Sequence, residues 1–127
     1  MPKILVADDQ PAILRLVEVI LKNEGWEVIT AADGREALEK ALAEKPDLVL
    51  LDIMMPIMDG IEALRQLGSH RETRRIPVVM LTAKSDYATV TGARESGVRE
   101  YIVKPVDPKR LVATVRKVLR LPNPTQT

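Results

Sequence analysis

Four stretches of this 127-residue chain carry residues equipped for polar chemistry, and each follows directly on an aliphatic run. Asp8-Asp9 follows Ile4-Leu5-Val6-Ala7, Asp52 follows Leu48-Val49-Leu50-Leu51, Thr82-Ala83 follows Val78-Val79-Met80-Leu81, and Lys104-Pro105 follows Tyr101-Ile102-Val103. Three carboxylates brought together repel and raise one another's pKa values. A hard divalent cation such as Mg²⁺ relieves this, since it prefers oxygen ligands and commonly binds one or two carboxylates plus a phosphate. Lys104 adds a compact positive charge suited to a phosphoryl oxygen, and Thr82 adds a hydroxyl donor. A carboxylate flanked by cation, ammonium and hydroxyl is equipped to attack a phosphoryl group as a nucleophile. Phosphoryl transfer asks mainly for positioning and charge neutralisation, and the product here would be an aspartyl phosphate.

These residues can meet only if the chain brings strand ends together. Lys3–Ala7 reads as a short aliphatic strand. Pro11 suits the first turn of a helix, with Ile13, Leu14, Val17, Ile20 and Leu21 on one face. Gly25 ends that helix, and Trp26–Thr30 is a second strand. Asp33 and Glu36 form a capping box for a helix that turns Ala37, Leu38, Ala41 and Leu42 inward. The four continuous aliphatics of 48–51 suit a strand buried on both faces, as in a parallel sheet covered by helices, with Asp52 at its tip. Asp59 and Glu62 offer a second capping box, for a helix to about Leu67. Pro77–Leu81 is a fourth strand. A weak helix is expected over about 86–96, where Thr89, Thr91 and Gly92 lower the propensity. Glu100–Val103 is a fifth strand, and Asp107-Pro108 starts a last helix with Leu111, Val115, Val118 and Leu119 inward. Five alternating strand–helix units predict a parallel sheet with helices on both faces. In such a sheet all strand ends share one rim, where ligands bind.

Plainer tasks exist for each residue taken singly. Asp8-Asp9 could cap the first helix, Thr82 could be a turn residue, Lys104 could be solvated, and an Asp after a strand often only caps a helix. Asp59 already serves the third helix, however, and the four stretches recur at the same end of different strands. A buried carboxylate such as Asp52 is also costly unless it is paired, bound to metal or used.

Composition narrows the field. Aromatics are 2 % with no Phe, so there is no stacking platform for single-stranded nucleic acid. The absence of cysteine excludes disulfides, thiolate nucleophiles and cysteine-ligated zinc, and one His excludes a histidine-rich metal site. No apolar run approaches the ~18 residues of a membrane span, and Met-Pro-Lys opens no signal peptide, so a cytoplasmic location is expected. Residues 1–83 hold 10 Lys/Arg against 14 Asp/Glu, and residues 84–127 hold 9 against 4. The basic charges of the second part are scattered rather than clustered, which favours a protein-docking face or solvated helix over direct nucleic-acid binding.

As a set, Asp8-Asp9, the run Leu50-Leu51-Asp52-Ile53-Met54-Met55-Pro56-Ile57-Met58-Asp59-Gly60, Thr82-Ala83 and Lys104-Pro105 resembles the response-regulator receiver domain of two-component signalling, the CheY-like family, over residues 3–120. The resemblance implies a flavodoxin-like (βα)5 fold with strand order 2-1-3-4-5. It implies that Asp52 accepts a phosphoryl group from a sensor histidine kinase or histidine phosphotransfer protein. Asp9, Asp52 and the Met54 carbonyl would ligate Mg²⁺ (or Mn²⁺), Asp8 would act through water, and Lys104 would pair with the phosphate. The Lys104–Pro105 peptide would be cis, which costs little before proline. Thr82 would then move to the new phosphate and Tyr101 would turn inward, altering the face built from the fourth helix, fifth strand and fifth helix. Such a protein is a signalling switch rather than an enzyme, catalysing only its own phosphorylation and slow dephosphorylation. It would be a monomer or a phosphorylation-dependent dimer and would make no membrane contact. Val106, where the family more often has a larger residue, affects packing only, while Met54 and Lys84 occupy positions that tune phosphoryl lifetime.

Other classes fit less well. Phosphohydrolases resembling the haloacid dehalogenase family need a second Asp two residues after the nucleophile, where Met54 stands, and so would lack their proton donor. A flavodoxin needs a phosphate cradle after its first strand, where Asp8-Asp9 would repel the ligand. A binding module without phosphorylation has no use for all five residues. The expected organisation is a receiver domain over 1–121 and a flexible tail over 122–127, acting alone on a downstream protein or joined to an output domain outside these residues.

Overall fold

The alternation of side chains along each strand assigns the core to two layers. A computed structural model of the chain describes residues 1–83 and 98–122. It contains strands β1 (Lys3–Ala7), β2 (Glu27–Ala31), β3 (Leu48–Asp52), β4 (Val78–Thr82) and β5 (Val98–Val103), and helices α1 (Pro11–Lys22), α2 (Gly34–Glu44), α3 (Gly60–Ser69) and α4 (Pro108–Leu119). The helix expected over 86–96 lies outside the described residues. The strands form one sheet in the order β2-β1-β3-β4-β5, and every pairing is parallel. Successive side chains on a strand face opposite ways. Leu5, Val49, Leu51, Val78 and Met80 accordingly pack with α2 and α3, through Ala37, Ala41, Ala63, Leu64 and Leu67. Ile4, Val6, Leu48, Leu50, Val79 and Leu81 pack on the other face with Val17, Leu21, Leu111 and Val115 of α1 and α4. Among the described residues no helix is long and apolar enough to cross a membrane.

Several boundaries differ from the sequence expectation. Asp52 and Thr82 are the last residues of their strands rather than the first of their loops, paired in register with Leu81 and Val103. β5 starts at Val98, two residues early, because a register irregularity between Val78 and Val79 lets Val98 and Glu100 pair while Arg99 is passed over. Beyond α4, Leu121 packs on the α1/α4 layer and donates its N–H to the Arg116 carbonyl at 2.8 Å, and Pro122, the first residue of the expected tail, accepts from the Arg116 guanidinium.

The capping boxes form only in part. Asp33 Oδ1 accepts from Glu36 N–H at 2.8 Å, but Glu36 reaches back to Ala32 N–H rather than to Asp33. Asp59 Oδ1 accepts from Glu62 N–H at 2.8 Å, whereas the Glu62 carboxylate is taken by Arg65 and Gln66.

The loop from β3 to α3 closes tightly. Gly60 N–H donates to the Ile53 carbonyl at 2.7 Å, and a Cβ on Gly60 would stand 2.1 Å from the Asp52 carbonyl oxygen. Gly60→Ala is therefore expected to lower the free energy of unfolding by roughly 1–3 kcal/mol, the usual cost of overpacking. Gly68→Ala, on the same helix with nothing within 4 Å of the added carbon, should instead raise it by up to about 1 kcal/mol. Urea titration of the two variants checks both signs.

Candidate functional site

Parallel register delivers the polar residues to one rim. Ala7 pairs with Leu51, Asp52 with Leu81 and Thr82 with Val103, so Asp8 is level with Asp52, Thr82 stands one residue further along and Lys104 two. Carboxylate oxygens of Asp8, Asp9 and Asp52 all lie within 4.8 Å of one another. Asp8 is wholly buried, Asp52 is 5 % exposed, and Asp9 faces solvent.

Lys104 enters from the far strand. Its Nζ stands 2.8 Å from Asp8 Oδ2 and 3.4 Å from Asp52 Oδ1. Its backbone N–H donates to the Thr82 carbonyl at 2.7 Å, which holds the residue against β4, and its peptide bond to Pro105 is cis. Thr82 is fully buried, and its hydroxyl donates to the Ala83 carbonyl at 2.9 Å rather than toward Asp52. Tyr101 is half-buried against the α2/α3 layer and pairs in register with Met80. Met54 is 62 % exposed on the loop after Asp52.

The electrostatics follow from burial. Loss of water pushes the Asp52 carboxyl up from 3.8 to about 6, Asp8 adds to this, and Lys104 pulls back only in part. Burial would lower the Lys104 pKa, but the close pairing with Asp8, then Asp52, outweighs it and holds the ammonium above its ordinary value. Asp8 Oδ1 accepts from Gln10 N–H at 2.9 Å. Asp8 Oδ2 has the Lys104 charge nearby at 2.8 Å but takes no aligned hydrogen bond, so a buried oxygen is left aimed into the cluster. Among the described residues Lys104 is the cation paired with this cluster, through Asp8 and Asp52. An all-oxygen donor set with surplus negative charge suits a hard divalent cation.

The response regulator receiver domain family matches residues 4–116. The chain belongs to that family. It is 44 % identical over 118 residues to the alkaline phosphatase synthesis transcriptional regulatory protein PhoP of Bacillus subtilis, covering 93 % of this chain and 48 % of that protein. The chain spans about half the length of the curated relatives it matches. A CheY-like response regulator receiver domain protein from Methanospirillum hungatei superposes with a TM-score of 0.87 at 33 % identity, covering 94 % of each chain. The receiver domain of the sensor histidine kinase PA1611 from Pseudomonas aeruginosa, solved with a magnesium ion coordinated in the active site cleft, superposes at 0.86 and 27 % identity, covering 94 % of this chain and 98 % of that one. This receiver is thus a phosphorylation-activated signalling switch of the two-component type, on the flavodoxin-like fold with strand order 2-1-3-4-5. The family uses a divalent metal in its acidic pocket, and the three aspartates form such a pocket here.

One feature at this rim was not legible as a site element. Gly34, which lies between the capping residues Asp33 and Glu36, donates its N–H to the Met58 carbonyl at 2.9 Å, so α2 touches the loop that follows Asp52. The signal available was the Asp33-Gly34 pair at a helix start, which marks a close backbone approach as readily as a cap.

The raised pKa has a consequence for stability. Asp52 holds its proton more tightly folded than unfolded, so its burial costs nothing below 3.8 and costs progressively more as the pH rises through about 6. Asp52→Asn is therefore expected to stabilise the cation-free protein at pH 7 by roughly 1–3 kcal/mol, one pKa unit being about 1.4 kcal/mol. The gain should fade as the pH falls toward 4, measured by urea unfolding in EDTA.

Proposed function

We propose that Asp52 is the phosphoacceptor of this receiver and that Mg²⁺ is its working cation. The observation that carries this is a carboxylate with a pKa near 6, set at a strand end with Lys104 Nζ 3.4 Å away and two further carboxylates beside it. Asp9, Asp52 and the Met54 carbonyl would hold the cation, with Asp8 acting through water. Bound there, the cation supplies charge neutralisation for the phosphoryl oxygens.

Asp52 is largely ionised at pH 7 yet more basic than an ordinary aspartate. One of its oxygens forms the bond to phosphorus as the bond from phosphorus to the donor breaks. The donor is the imidazole of a phosphohistidine, on a histidine kinase or phosphotransfer protein, or a small acyl phosphate; the leaving group departs with the bonding pair. Lys104 stays protonated throughout and passes from Asp52 to a phosphoryl oxygen.

Thr82 then has a better acceptor than the Ala83 carbonyl, since hydrogen bonds to charged oxygens are about twice as strong as neutral ones. Thr82 lies two residues after Met80, on the same face of the sheet, and Tyr101 is the register partner of Met80. Movement of the Thr82 side chain therefore opens space that Tyr101 can fill, and the altered surface includes β5 and α4. A downstream protein or an output domain would read that change, in a cytoplasmic setting, and no enzymatic turnover beyond self-phosphorylation and slow hydrolysis is involved.

Incubation with acetyl phosphate and Mg²⁺, followed by intact mass measurement, tests the assignment. Wild type should gain one phosphoryl group, and neither Asp52→Asn nor wild type in EDTA should gain any. An equal gain in Asp52→Asn would remove Asp52 from the role.

A further inference from the structure

The loop from Asp52 to Gly60 carries the Met54 carbonyl and must hold its shape for the cation proposed above. Besides the first bond of α3, Ala63 N–H to the Asp59 carbonyl, three backbone hydrogen bonds hold that loop among the described residues. Two are internal to it: Gly60 N–H to the Ile53 carbonyl, and Met58 N–H to the Pro56 carbonyl, each at 2.7 Å. The second makes a three-residue turn that places Ile57 at φ 68, a conformation a β-branched residue adopts at a cost. The third comes from outside the loop, from Gly34 N–H at the start of α2 to the Met58 carbonyl at 2.9 Å.

That contact leaves no room for a side chain. A Cβ on Gly34 would lie 2.1 Å from the Met58 carbonyl oxygen, 2.8 Å from its carbon and 3.1 Å from the Asp59 carbonyl oxygen. These are backbone atoms, which cannot swing aside as a flexible side chain would. The Asp33 and Glu36 caps fix the position of Gly34 in turn. The strained turn at Ile57 is thus held from behind by a helix that makes no contribution to the carboxylate cluster.

We propose that Gly34 is a positioning residue for the cation side of the site, acting through the Met58 carbonyl on the loop that bears Met54. This rests on the Mg²⁺ reading above and adds α2 to the elements that sense occupancy of the site. Partners that hold a metal's ligands in place typically account for about 10–100-fold in affinity or activity.

Gly34→Ala is the test, with Gly25→Ala beside it. Gly25, at φ 85 with nothing within 4 Å, should lose stability when substituted for reasons unrelated to the loop. Mg²⁺ affinity is measured by isothermal titration on wild type and both variants. Gly34→Ala should weaken Mg²⁺ by about tenfold, and its phosphorylation by acetyl phosphate should recover toward wild type at saturating Mg²⁺. Gly25→Ala should leave Mg²⁺ affinity unchanged despite its lower stability. A folded Gly34→Ala that binds Mg²⁺ like wild type overturns the proposal.

Should Gly34→Ala fail to fold, exchange of the Gly34 amide in wild type decides. Mg²⁺ should slow it several-fold, and no change overturns the proposal. Wild type that neither binds Mg²⁺ nor gains a phosphoryl group would instead refute the underlying reading, which separates the two failures.

Discussion

Among the described residues the site is electrostatically unbalanced, with three carboxylates against one ammonium at the edge of an apolar sheet. Like charges about 4 Å apart at a partly buried site repel by about 4 kcal/mol at an effective dielectric constant near 20. Asp8 cannot retreat from this, since it is wholly buried and its Oδ1 is engaged by Gln10 N–H. Asp52 cannot either, because it is paired in the sheet with Leu81. Burial first, and the repulsion from Asp8 second, raise the Asp52 pKa, while Lys104 is held protonated against its own burial. What the protein lacks in positive charge it can take from outside, as a divalent cation. The attraction of this rim for a cation is in that sense a consequence of a deficit built into the fold.

The core that tolerates the deficit was legible in the sequence. Continuous aliphatics at 48–51 and 78–81 define strands buried on both faces, and the 3/4 spacing of Ile13, Leu14, Val17 and Leu21 defines a covering helix. Convergence of Asp8, Asp52, Thr82 and Lys104 follows from topology, because every parallel strand–helix unit puts its strand end on the same rim. The less legible parts depend on register or on contacts distant in sequence. The residue passed over at Arg99 is set by pairing with β4 and leaves no mark in local propensity. The direction of the Thr82 hydroxyl, toward Ala83, is a choice between acceptors that only coordinates reveal. The approach of Gly34 to Met58 spans 24 residues and looks like an ordinary helix start from sequence alone.

Lys104 ties the far edge of the sheet to its centre. Its backbone is bonded to Thr82 on β4, while its side chain reaches past β4 to Asp52 at the end of β3 and Asp8 just beyond β1. One residue thus couples four strands. An added phosphoryl group, with about −1.5 to −2 charge at neutral pH, would redraw the attraction on the same ammonium. The response would pass through the Lys104 backbone to β4, which it bonds at Thr82, and to β5, which it directly follows.

The same topology that gathers the carboxylates also gathers something to oppose them. Helices α1, α2 and α3 each begin just after a strand ends, so their first turns lie at the acidic rim, and each helix start carries about half a positive charge. α1 has no side-chain cap on its N-terminal residue, Gln10. Instead the buried Asp8 takes the Gln10 N–H directly. α3 begins so close behind Asp52 that only a glycine fits between them. These partial charges are fixed by backbone geometry and need no solvent-exposed side chain to be held in place. They add to Lys104 in holding three aspartates in one cluster, while leaving the outer side of that cluster, at Asp9, open to solvent.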